Sequence, residues 1–327
     1  MPLHHRPPVN GSGVLVTGGA GFIGSHLVDR LLDDGAREVV VVDNLFTGDE
    51  ENLRQAFESG RVSLYRDDLE LFGCVDYVFE RHDIDIVFNC ATKALNYSFI
   101  NPSNAFSTNV HVVLHLLEAQ RKKKFTTLCH FSTSEVYGTA VYEPMDEAHP
   151  KNPTTTYAAG KAAADQAVES YVRMFDLDAY IVRPFNNYGP RQNYKGCLAG
   201  IIPITAYRIL NGIPPEIHGD GLQSRDFIYV HDTVDAVLKV HDVLEAGGSV
   251  NISTDNQVSI RDLLQMICRE MNYRGECLQK DERKSDVQCH NASNEKVRSL
   301  IDYSLTPFDQ GLKDTLDWYR SEIGREV

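Results

Sequence analysis

Tyr157 and Lys161 stand four residues apart in the segment Tyr157-Ala158-Ala159-Gly160-Lys161. On a helix that spacing puts both side chains on one face. An ammonium beside a phenol favours the phenolate, so Tyr157 is a candidate general base. Upstream lies Phe131-Ser132-Thr133-Ser134-Glu135-Val136-Tyr137-Gly138, which supplies hydroxyls and a carboxylate after an apolar run. If that run is a strand that continues, alternation puts Thr133 and Glu135 on the same side.

A second constellation is built from glycine. Gly18, Gly21 and Gly24 are spaced three apart in Thr17-Gly18-Gly19-Ala20-Gly21-Phe22-Ile23-Gly24. The first permits a tight turn, the second lets the backbone approach a pyrophosphate, and the third lets helix and strand pack closely. The helix N-terminus then faces the phosphate charge. Asp43 follows 19 residues after Gly24, close to the ~20 expected of an acid that bonds an adenosine ribose. A carboxylate there repels a 2′-phosphate, so the pattern favours NAD over NADP.

These groups need a scaffold, and the chain provides alternating apolar elements. Gly13–Thr17 and Glu38–Asp43 read as strands, with Gly21–Asp34 a helix between them. The run EVVVVD is apolar on both faces, which suits a parallel sheet covered on both sides. Further strands are expected near 62–65, 85–90, 126–131 and 179–182, and helices near 50–58, 74–81, 104–120 and 157–175. Repeated units of this length predict an α/β fold with a doubly wound parallel sheet. The alternation breaks after Pro184. We expect a dinucleotide-binding domain over 13–185, with 226–249 returning to it. A smaller, partly interleaved substrate region then comprises 186–225 and 250–327.

Composition narrows the function classes. The 327 residues carry a net charge of −14, which disfavours nucleic acid and anionic membranes. The one basic run, Arg121-Lys122-Lys123-Lys124, suits a solvated helix C-terminus. Seven dispersed cysteines without CxxC pairs argue against a disulfide framework or structural zinc, and fit a reducing, cytoplasmic setting. No apolar run approaches the ~20 residues of a membrane span. Residues 1–12 lack an apolar stretch and read as a flexible tail. His111 and His115 have helical metal spacing, but packing explains them better.

The segments TGGAGFIG, VVDNL, STSEVYG, YAAGK, RPFNNYGPRQ and GDGLQSRDFIYVHD together resemble the extended short-chain dehydrogenase/reductases that act as nucleotide-sugar epimerases and dehydratases. The resemblance covers residues 13 to about 320. It implies an NAD that is reduced and reoxidised within each turnover. Tyr157 would take the proton from the sugar O4, Thr133 would share that hydrogen bond, and Lys161 would hold the nicotinamide ribose. Gly18, Gly21, Phe22, Ile23, Gly24, Asp43, Asn44, Asp68, Leu69 and Pro184 match cofactor-contacting positions. Ser134, Asn186, Arg191, Arg225 and Arg283 match positions that touch a nucleotide-diphosphate sugar. The resemblance also implies a homodimer through the helices near 104–120 and 157–175.

Within that family a common 4-keto intermediate leads to three outcomes. A 4-epimerase needs no further base. A 4,6-dehydratase needs one near C5, and Glu135 suits that task. A UDP-glucuronate decarboxylase exploits a β-keto acid. Ser134 stands where dTDP-glucose dehydratases have an Asp, and Thr-Ser-Glu resembles other 4,6-dehydratases as well as the decarboxylases. A 4,6-dehydratase is the favoured expectation, with decarboxylase and 4-epimerase as alternatives and a non-catalytic NAD-binding scaffold as a remote one.

Overall fold

In the computed structural model Val39–Val42 is fully buried, and its side chains divide between two cores. Val39 and Val41 pack with Val14, Val16, Leu27 and Val237, whereas Val40 and Val42 pack with Leu15, Leu116 and Val168. The period-two alternation of a strand requires this when both sheet faces are covered. The structure describes residues 6–71, 73–281 and 289–324.

The covered sheet has seven parallel strands. These are β1 (Gly13–Thr17), β2 (Glu38–Asp43), β3 (Val62–Arg66), β4 (Ile86–Asn89), β5 (Thr127–Phe131), β6 (Asp178–Pro184) and, later in the chain, Ser249–Ile252. The spatial order is β3-β2-β1-β4-β5-β6, followed by the Ser249–Ile252 strand. After β1 the chain winds to one side, and from β4 onward to the other. The cleft between the C-terminal ends of β1 and β4 is therefore the switch point where such sheets bind ligands. Helices α1 (Phe22–Asp33) and α2 (Arg54–Phe57) belong to one face, while α3 (Cys74–Phe79), α4 (Pro102–Arg121) and α5 (Thr156–Phe175) cover the other.

Two features of α5 bear on the site. Thr155 caps its N-terminus by accepting from the Ala158 amide, which fixes the first turn that carries Tyr157. Gly160 lets α4 come close, since a Cβ there would lie 2.6 Å from the Phe106 carbonyl oxygen.

Beyond β6 the chain builds a second layer. Short strands β7 (Asn186–Tyr188), β8 (Glu216–His218) and β9 (Ser224–Tyr229) accompany α6 (Ile201–Leu210). Helix α7 (Val230–His241) then packs on α1, and β10 is the seventh strand of the main sheet at Ser249–Ile252. After β10 come β11 (Gln257–Ser259), α8 (Ile260–Glu270), β12 (Leu278–Lys280), β13 (Cys289–His290), α9 (Glu295–Leu300) and α10 (Phe308–Ile323). A separate apolar core under this layer joins Ile202, Phe227, Leu263, Ile267, Leu312 and Leu316.

The expected flexible tail does not hold for residues 6–12. Arg6 is bound through Nε and Nη2 to the buried Asp178 carboxylate at 2.8–3.0 Å, and Nη1 donates to the His241 carbonyl. Its guanidinium also lies 4.5 Å from the Tyr180 ring centroid. A polar segment without an apolar run becomes ordered here because it supplies the counter-charge to a buried acid, which hydrophobic patterning does not reveal. Among the described residues no helix is long and apolar enough to cross a membrane.

Candidate active site

The strand expected to carry Thr133 and Glu135 ends at Phe131. Thr133 instead has extended backbone and caps a 3-10 turn, Ser134–Tyr137, accepting from the Glu135 amide at 3.3 Å. Hydroxyl competition for backbone amides breaks the strand, so alternation is not what aims these side chains. The turn nevertheless puts Thr133, Ser134 and Glu135 on one cavity of about 350 Å³, together with Tyr157 and Asn186.

A neighbouring cavity of about 350 Å³ shares Phe22, Ile23, Tyr157 and Pro184 with it. Gly18, Gly21, Gly24, Asp43, Asn44, Asp68, Leu69 and Lys161 line that neighbour. Every residue matched to cofactor contact thus lies on one cavity at the switch point. Its glycines fit a dinucleotide for distinct reasons. Gly18 has φ +67°, and a Cβ there would sit 2.9 Å from the Ala91 backbone. A Cβ on Gly24 would meet the Gly18 carbonyl at 2.2 Å. A Cβ on Gly21 meets only that same carbonyl, at 3.1 Å, so the middle glycine is the one left open to an approaching ligand. Asp43 is buried, and its oxygens accept from the Ala20 amide at 3.0 Å and the Leu45 amide at 2.8 Å. Burial raises its carboxyl pKa, against which these amides and Lys93 act.

Two residues on this cavity escaped sequence reasoning. Lys93 is a nearly buried cation, 3.8 Å from Glu70 and 4.0 Å from the Phe46 ring centroid. It would oppose the charge of a diphosphate. Thr92 Oγ1 donates to Asn109 Oδ1 at 2.7 Å, and its hydroxyl acts downward on the Tyr157 phenol. Both follow β4 in a segment without a distinctive spacing, so only their position at the switch point marks them.

Tyr157 is pushed up to about 12, first by burial and then by the charge of Glu135, while the Thr133 and Thr92 hydroxyls act downward. Sequence spacing suggested Lys161 as the group that lowers it. In the structure the Lys161 ammonium is buried and donates to the Phe131 carbonyl at 2.8 Å. Burial brings Lys161 down to about 8, opposed by Asp165.

A third cavity, of about 500 Å³, shares Glu135 and Asn186 with the second and adds Arg225, Arg208 and His218. Asn186 Nδ2 donates to the Asp226 carbonyl at 3.2 Å, and Arg225 Nη1 to the Ser224 carbonyl at 2.9 Å. Arg191 is not brought to these cavities. It has φ +65° and donates to Asp29 at 2.7 Å, because a local carboxylate on α1 captures it. Arg283 lies outside the described residues. His115 bonds the Leu69 carbonyl through Nδ1 at 2.9 Å, a packing role.

Two buried histidines nearby make stability acid-sensitive. Burial lowers both His26 and His130 to about 3. The unfolded chain, with its histidines near 6.5, therefore binds more protons below that pH. Their stabilising effect is complete above about pH 6.5 and falls as pH drops toward 3, by roughly 1.4 kcal/mol per pH unit for each group. Thermal melts should fall steeply between pH 6.5 and 4.5, and a flat profile there would contradict neutral burial of both rings.

The family model described as NAD dependent epimerase/dehydratase matches residues 14–253. A putative UDP-glucose 4-epimerase of Methanocaldococcus jannaschii is 33% identical over 310 residues, covering 94% of this chain and 98% of that protein. The bovine dTDP-D-glucose 4,6-dehydratase is 31% identical over 321 residues, covering 95% and 89%. Among solved structures, the Streptomyces venezuelae dTDP-glucose 4,6-dehydratase DesIV, with NAD and TYD bound, superimposes with a TM-score of 0.89 at 28% identity, covering 96% and 98%. The glycine turn, the buried acid that ends β2, the Tyr157–Lys161 helix and these matches agree: the chain belongs to the NAD-dependent epimerase/dehydratase family of extended short-chain dehydrogenase/reductases, with NAD as its cofactor.

Proposed function

We propose that the chain is a nucleotide-hexose 4,6-dehydratase acting through a 4-keto sugar. The observation that carries this reading is Glu135, whose carboxylate shares a cavity with Tyr157 and Thr133 and lies close enough to bear on the phenol. When bound, NAD would accept the hydride of C4 and give it back at C6, so that it is oxidised again within each turnover. Tyr157 and Thr133 hold and move the O4 proton. A carbonyl at C4 acidifies the C5 proton, which Glu135 removes; the C6 hydroxyl leaves as water, balanced by the proton taken from O4, and Glu135 returns its proton to C5 as hydride enters at C6. The third cavity takes the nucleotide diphosphate, with Asn186 and Arg225 as its polar contacts. A 4-epimerase leaves Glu135 without a task, yet similarity to epimerases keeps that reading as the second one. Decarboxylation of a UDP-glucuronate is the remaining alternative.

Product mass separates the three. UDP-, GDP- and dTDP-hexoses, N-acetylhexosamines and UDP-glucuronate are incubated separately with the enzyme and NAD. Loss of water from a hexose supports dehydration. Loss of carbon dioxide, or unchanged mass with an inverted C4 centre by NMR, overturns it. We also propose that two chains pair through α4 and α5, on which Phe106, Met174 and Phe175 are exposed.

A further inference from the structure

Phe46 and Tyr97 come from opposite sides of the switch point and meet across it. Phe46 lies in the loop after β2, and Tyr97 in the 3-10 turn Leu95–Phe99 that follows β4. In the sheet β2 and β4 flank β1, whose C-terminal end leads into the glycine turn. A contact between those two loops therefore passes over the place where Gly18, Gly21 and Gly24 face the cofactor cavity, which Phe46 and Lys93 also line. The two rings make that contact edge to face, with centroids 5.0 Å apart and planes at 72° to one another.

The β4 side of this contact is firmly held. Lys93, nearly buried, sets its ammonium 4.0 Å from the Phe46 centroid and 5.9 Å from that of Tyr97. Its Glu70 partner, 3.8 Å away, accepts from Thr108 Oγ1 at 2.6 Å and Asn104 Nδ2 at 3.0 Å on α4. The turn that carries Tyr97 is tied to α5, because Ser98 Oγ accepts from the Tyr157 amide at 3.0 Å. The β2 side is lighter. The Phe46 ring is 41% exposed, and its amide donates to Asn44 Oδ1 at 3.1 Å. Asn44 Nδ2 in turn donates to Asp68 at 2.9 Å. Leu45, just before Phe46, has φ +57°, a conformation that disfavours a branched side chain.

We propose that Phe46 and Tyr97 form a retaining bridge over bound NAD, whose opening sets how fast the cofactor enters and leaves. Phe46 is the leaf that swings, on the loop over residues 44–48, and Tyr97 is the post it closes against. The ring pair and the Lys93 ammonium beneath Phe46 hold the bridge shut. The proposal rests on NAD as the cofactor and not on which sugar reacts, so it stands or falls apart from the dehydratase reading.

The test is release of NADH from the intact protein, followed by its fluorescence on mixing with excess NAD, with NADH affinity measured in parallel by calorimetry. Phe46→Ala and Tyr97→Ala should each speed release about 3–10-fold, the range that loss of an aromatic pair allows. The double variant should release no faster than the quicker single one, because either truncation already breaks the one contact. Phe46→Tyr and Tyr97→Phe keep the rings and should release at the native rate. Opening precedes entry as well as exit, so the affinity of Phe46→Ala should change by less than about twofold. Tyr97→Ala is the variant at risk of disturbing α5, so Phe46→Ala, at an exposed position, decides the matter alone. An unchanged release rate in Phe46→Ala overturns the proposal. So does a loss of affinity as large as the gain in rate, which would make the ring an ordinary contact of the cofactor. A double variant whose effect is the product of the two singles, or fast release in the ring-keeping variants, overturns it as well.

Discussion

Glu135→Gln should lose dehydration by about 10²–10⁴-fold while the protein still oxidises C4 of the bound sugar. The substitution keeps the shape of the side chain and removes its capacity to take a proton. C5–H cleavage then stops, but the Tyr157–Thr133 pair proposed to handle the O4 proton is intact. Reduced cofactor should accumulate and be visible by its absorbance, and no dehydrated product should appear by mass. A second readout follows from the electrostatics. The Glu135 charge raises the Tyr157 pKa, so its neutralisation lowers it. The acid limb of C4 oxidation should therefore move to lower pH in Glu135→Gln. Unimpaired dehydration would remove Glu135 from the mechanism and return the choice to epimerisation, which needs no such base.

Arg183→Met should be the most damaging substitution for stability. The guanidinium is fully buried on β6, bonded to Asp165 and also to the Ser249 hydroxyl at 2.9 Å and the Tyr137 hydroxyl at 3.2 Å. Its loss leaves a buried carboxylate with Lys151 as its remaining close cation. Breaking a buried pair from one side costs about 3–5 kcal/mol, a large part of the ~5–15 kcal/mol that holds a typical domain together. Removing both charges in Arg183→Met/Asp165→Asn should recover most of that loss, because desolvation of an unpaired charge is the main cost. Urea unfolding of the four proteins completes the cycle. A single-variant loss under about 1 kcal/mol would show that the cluster relaxes or takes up water instead of remaining dry.

Much of the architecture was legible because it depends on local pattern. EVVVVD could be read as a strand covered on both faces, since buried parallel strands have no polar side. The glycine spacing was legible for the same local reason: a turn that needs φ +67° at Gly18 and no Cβ at Gly24 restricts residue type at each position. The Tyr157–Lys161 helix was readable from its four-residue spacing, and the Thr155 cap was found in the structure. Reading failed at two long-range contacts and at one local turn. Arg6 was expected in a flexible tail, and an acid 172 residues away orders it. Arg191 matched a substrate position, and Asp29 holds it instead. Thr133 and Glu135 reach the cavity through a capped turn and not by strand alternation.

The sequence by itself determined the doubly wound sheet, the glycine turn at its switch point and the residue types proposed to handle protons, because periodicity and glycine geometry are properties of neighbouring residues. Only the tertiary structure decided the electrical state of those residues. Lys161 near 8, Tyr157 near 12 and the shared charge of Asp165 follow from depth of burial and from partners on β4, β5 and β6, distances that no local spacing encodes.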